Sequence, residues 1–233
     1  MDRLVIPGEF NGPRESGNGG YTCGAVAALM DGPAQISLRS PVPLDEPLDV
    51  DRSDSCVRVR SGETLIAEGR PAPELNHQPP ETVGPDTALE ASTRYRGLSE
   101  GPFSHCFACG LAHPEPLGIF AGSVGESDLV ATPWSPPEWT AGDDGFVRPE
   151  IVWAVLDCPT FFAAYGSREE LPVAFLVREQ ARLDRPVKAG VEHVVVAWPI
   201  EHDGRKALAG SAVLSAGGET LAVAEVLMVE PSG

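Results

Sequence analysis

The sequence predicts an α+β protein made of two related halves, each a helix laid against antiparallel strands. Three observations carry this. The tetrapeptide Gly62-Glu63-Thr64-Leu65 recurs as Gly218-Glu219-Thr220-Leu221, each time a turn that enters an alternating stretch. The landmarks before it come in the same order in both halves: a helical stretch, then a proline-marked turn, then strands. Period-two alternation then dominates the C-terminal part of the chain.

In chain order, the first helical stretch runs from Tyr21 to Met30 and is rich in Gly and Ala, so it needs packing against a sheet to persist. Pro43 to Asp49 marks a turn. Ile36 with Leu38, and Val57 with Val59, alternate as strands before the Ser61-Gly62 turn. Residues 74–103 are polar, carry Pro79, Pro80 and Pro85, and read as a linker with a short helix over Thr87 to Tyr95. The second helix covers Glu150 to Tyr165, and the second proline turn starts at Pro186. Val194, Val196, Trp198 and Ile200 alternate along one strand. Asp203-Gly204 turns it into a second strand (Lys206 to Leu214), and Ala216-Gly217-Gly218 into a third (Leu221 to Val229). The expected domains are residues 1–73, a linker of 74–103, and residues 104–233. Their sheets are expected to join edge to edge, helices side by side, because an open strand edge invites association.

The net charge of −17 argues against nucleic acid as partner, since such proteins present a basic footprint. No apolar run is long enough for a membrane span and the start has no signal-peptide pattern, so the expected location is cytoplasmic. Five scattered cysteines do not suggest a disulfide framework.

Ser16-Gly17-Asn18-Gly19-Gly20-Tyr21 resembles the His-Gly-Gly turn that opens the central helix of hotdog thioesterases, with Asn18 in the histidine position. Cys106-Phe107-Ala108-Cys109-Gly110, followed by Leu117-Gly118-Ile119, resembles the lead-in of many such domains. Leu156-Asp157 falls where thioesterases of the phenylacetate-pathway type carry a helical aspartate. The chain thus resembles a double-hotdog protein of the acyl-CoA thioesterase superfamily. In that family the aspartate lies nine residues after the histidine of the turn. Nine before Asp157 is Arg148, and nine after Asn18 is Ala27. The resemblance therefore implies one complete site, with Asp157 from one half and Asn18-Gly19-Gly20 from the other, and a degenerate counterpart at Ala27 and Arg148-Pro149-Glu150. The implied partner is an acyl-CoA or acyl-carrier thioester, with no cofactor, and a homo-oligomer of pseudo-dimers fits the family. The alternative is a hotdog module that binds such a ligand without hydrolysing it. Dehydratase chemistry fits less, since no His lies near Asp157 in the sequence.

The residues themselves allow two readings each. Asp157 interrupts an apolar helix, where burial raises a carboxyl pKa and suits it to proton transfer; it also suits an N-cap before Pro159. The Gly20 and Tyr21 amides, with Gly19 allowing close approach, suit an oxyanion; they also suit a plain turn. Asn18 is either a donor to that oxygen or a helix N-cap. Thr160 either holds water or satisfies a helix carbonyl. Glu15 and Ser16 are minor polar candidates. Cys106 and Cys109 have His105 and His113 beside them, but a second CxxC is missing, so no metal site is expected. Cys23 and Cys158 read as buried packing residues, Glu225 as solvent-facing or at an edge, and His193 and His202 as surface residues.

Overall fold

The computed structural model describes residues 2–53, 55–97 and 100–232. Alternating apolar residues assemble its strands into one antiparallel sheet of eleven: β1 (Asp2–Val5), β2 (Ala34–Leu38), β3 (Pro47–Ser53), β4 (Cys56–Ser61), β5 (Thr64–Pro71), β6 (Gly122–Ser123), β7 (Val130–Trp134), β8 (Phe175–Leu183), β9 (His193–Asp203), β10 (Lys206–Ser215) and β11 (Thr220–Val229). The spatial order is β1-β3-β4-β5-β2-β8-β11-β10-β9-β7-β6. Read inward from either end, the connectivity matches, apart from the two-residue β6. The seam is the β2–β8 pair, where Ile36 faces Glu179 and Gln35 faces Gln180.

Both Gly-Glu-Thr-Leu segments form hairpin tips, between β4 and β5 and between β10 and β11. Gly62 and Gly218 take φ of 57° and 85° there, a region that disfavours side chains. The turn at Asp203-Gly204 joins β9 to β10 in the same way.

Two helices lie side by side on one face of the sheet, α1 (Gly19–Ala27) and α3 (Pro149–Tyr165). Identical loops lead into them. The Asn18 N–H donates to the Phe10 carbonyl at 2.8 Å, and the Arg148 N–H to the Thr140 carbonyl at 3.0 Å. Short bridges, Asn11 with Gly17 and Ala141 with Val147, close each loop. Asp157 therefore occupies in α3 the place Ala27 has in α1. One continuous core fills the space between helices and sheet, with Val26, Ile36, Val59, Leu156, Val213 and Ala224 among its members.

The opposite face of β9, β10 and β11 is also covered. Residues 74–84 run along it, and α2 (Pro85–Ser92) lies on β7 and β9. Leu75, Val83, Ala88 and Ala91 bury against Val194, Val196, Trp198 and Leu214. The segment expected as a polar linker is mostly exposed and anchors itself through Leu75 and Val83, with α2 through Ala88 and Ala91. Its helix begins two residues earlier than the pattern suggested, because Pro85 suits a first helical turn, where no N–H is needed. Two placements are corrected as well. Glu225 lies on the interior strand β11, half-buried, within 2.8 Å of His77 and 3.9 Å of Arg178. His193 is buried, with Nε2 3.0 Å from the Lys188 carbonyl. His202 is exposed, its ring edge-on to Tyr165.

Candidate active site

The N-terminus of α1 meets the middle of α3. Gly20 makes this approach sterically available: a Cβ there would stand 2.6 Å from the Asp157 Cβ and 2.7 Å from the Trp153 carbonyl oxygen. With no side chain in the way, the Gly20 N–H donates to Asp157 Oδ2 at 3.0 Å. Asp157 and the glycine turn, 137 residues apart in sequence, are direct neighbours.

They lie on the wall of a cavity of about 550 Å³. Gly19, Asn18 and Ser16 line one side, and Asp157, Cys158 and Phe161 the other. Leu38, Phe103, Phe175 and Leu176 make much of the remainder apolar. The exposed Arg39 stands on the lining as well. Burial pushes the Asp157 carboxyl up to about 7. The Gly20 N–H acts against this, and the neighbouring Cys106 charge adds to it.

The other candidates divide. Asn18 is the N-cap of α1: its Oδ1 accepts the Tyr21 N–H at 2.9 Å. Its Nδ2 points at sulfur, 3.5 Å from Cys106 Sγ and 3.9 Å from Cys158 Sγ. The Tyr21 amide is thereby committed to the cap and the Gly20 amide to Asp157, which corrects the reading of both as oxyanion donors. The Gly19 N–H, one residue into the helix and on the cavity wall, has no acceptor among the described residues. Thr160 is fully buried, and its hydroxyl donates to the Asp157 carbonyl at 2.5 Å. It satisfies the backbone beside Pro159 and is absent from the cavity wall, a correction to its reading as a water holder. The Ser16 hydroxyl accepts the Val42 N–H, and Glu15 is exposed away from the cavity.

On the counterpart side, Gly24 packs against α3 so closely that a Cβ would lie 2.6 Å from the Glu150 Cα. Arg148 pairs with Glu150 at 3.4 Å and covers the Phe10 ring.

Two features escaped the sequence. Glu179 on β8 is fully buried, with no hydrogen-bond partner for either oxygen among the described residues. Burial first, and then the Asp157 charge, hold its carboxyl well above the usual range. Cys158 lies with Cys106 and Cys109, their sulfur atoms all within 4.8 Å of one another. The two histidines beside the CxxC point elsewhere: His105 contacts Arg14, and His113 accepts the Glu115 N–H.

No family model matches the chain, and neither does any curated protein. Solved structures do. An acyl-CoA thioesterase II from Mycobacterium marinum is similar with a TM-score of 0.58 at 14% identity, over 99% of this chain and 93% of that one. A tesB protein of Mycobacterium avium subsp. paratuberculosis is similar with a TM-score of 0.52, also at 14% identity, over 91% of this chain and 84% of that one. The chain shares the hotdog-type α+β fold of these thioesterase structures.

Proposed function

We propose that the protein hydrolyses the thioester of an acyl-CoA or acyl-carrier substrate at one site between two hotdog halves. We read residues 1–73 and 104–233 as those halves, products of a tandem duplication, with 74–103 connecting them. The observation that carries the functional reading is the contact of Asp157, on the wall of a mostly apolar cavity, with the buried Gly20 amide.

The acyl group would lie among Leu38, Phe103, Phe161 and Leu176. The Gly19 N–H, at the positive end of α1, would face the thioester oxygen as negative charge develops there. Asp157 would take a proton from water while that water adds to the carbonyl carbon. Collapse of the adduct breaks the carbon–sulfur bond, and the proton goes on to the leaving thiolate. The products are the carboxylic acid and the free thiol. The exposed Arg39 would meet the phosphates of the carrier at the mouth, which a chain of net charge −17 needs locally. Five free cysteines accord with a cytoplasmic setting.

The test is a panel of acyl-CoA substrates scored by thiol release. Turnover that depends on Asp157 is expected. Saturable binding of acyl-CoA with no thiol release from any member would favour the binding module instead.

A further inference from the structure

We propose that Cys106, Cys109 and Cys158 hold a thiophilic metal ion of the zinc class, with its fourth position open to the cavity. The proposal does not depend on thioester chemistry. Cys106 and Cys158 approach to 3.8 Å between sulfur atoms, and all three sulfurs lie within 4.8 Å of one another. Sulfurs held by one tetrahedral zinc at Zn–S distances of 2.3 Å stand about 3.8 Å apart. Closing the wider gaps therefore needs shifts of no more than about one ångström. The cysteines come from two separate places, the turn after residue 104 and the helix α3, so an ion would tie that turn to the helix carrying Asp157.

Three buried thiols can also be mere filling. What separates the readings is the direction of the Asn18 side-chain amide beside them. Asn18 Nδ2 points at the sulfurs of Cys106 and Cys158. A neutral thiol is a weak acceptor and does not call for a buried amide donor, whereas a metal-bound thiolate does. The turn itself is tight: a Cβ on Gly110 would fall 2.5 Å from the Cys106 N and the Ser104 O. On binding, each thiol gives its proton to solvent, leaving three thiolates around the dication. All three cysteines line the cavity, so water or a small ligand can complete the coordination.

Protein purified under reducing conditions without chelator should carry about one zinc per chain by metal analysis. After stripping with chelator, the folded protein should take up about one equivalent of cobalt(II) with a thiolate-to-cobalt band in the near ultraviolet. That band would support the site even if zinc is low on isolation. Cys158→Ser should abolish both signals, whereas Cys56→Ser, on β4, should keep them. Zinc retained in folded Cys158→Ser would overturn the proposal. Should that variant fail to fold, the wild-type titration decides alone, and no cobalt band from reduced, folded, stripped protein would overturn it.

Discussion

Asp157 receives the Gly20 amide across the interface of two helices, and the chemistry proposed for it depends on an oxygen that can accept a proton. Asp157→Asn keeps the volume and removes that capacity. The expected loss in kcat is about 10²–10⁴-fold, with an unchanged circular dichroism spectrum. Wild-type turnover would return Asp157 to a structural role. Gly20→Ala tests the approach itself. Its methyl would meet α3 backbone at 2.7 Å, so a loss of about 1–3 kcal/mol in chemical denaturation is expected, with lower activity. Arg39→Ala should raise KM for acyl-CoA far more at low salt than at high salt, with kcat little changed. An effect independent of salt would remove Arg39 from substrate binding. The meeting of Asp157 with the glycine pair was legible through the resemblance, which set the carboxylate in one half and the glycine turn in the other. Tyr21 and Thr160 were misread because the partner of an amide or a hydroxyl is set by the fold. The Asn18 cap and the Asp157 carbonyl claim them.

Among the elements, β8 shows how a strand escapes detection. Its middle reads Arg178-Glu179-Gln180, which looks solvent-facing, yet Glu179 is wholly buried where β8 joins β2. It faces the Asp157 charge and the Cys23 thiol. Its carboxyl is protonated in the folded chain over a pH range where the unfolded chain ionises it. Its contribution to stability is therefore full below the unfolded pKa and is lost as pH rises through the folded one. Glu179→Gln removes the ionisation, so this variant should gain stability over wild type progressively above about pH 4.3. Urea midpoints at pH 5 and pH 8 check this: the gain must be larger at pH 8, and an equal shift at both would refute it. The strands β9 to β11 were readable because Val, Ile and Leu alternate with turn glycines between them. The burial of Leu75 and Val83 was not, because two apolar residues eight positions apart in a polar stretch have no period to detect.

At the scale of the molecule, one core runs beneath both helices and one sheet crosses from β1 to β6. Equilibrium unfolding in urea should therefore be a single transition. Tryptophan fluorescence, which reports only Trp134, Trp139, Trp153 and Trp198, should coincide with far-ultraviolet circular dichroism. Two separated transitions would mean that the β2–β8 seam is weaker than its continuity suggests. The repeated order of landmarks made the matching connectivity of the sheet readable before any coordinates. The seam was expected only on the general ground that open edges are hazards, since nothing in Gln35-Ile36-Ser37 announces its partner. The likeness of the two ends stops at their side chains. In an assembly of two identical copies, any substitution is made twice, once at each symmetry-related position. Here the two positions belong to one chain and are encoded separately. Ala27 can change without touching Asp157, and Pro149 without touching Gly19. Selection can thus tune one end for chemistry while the other is free to harden into scaffold.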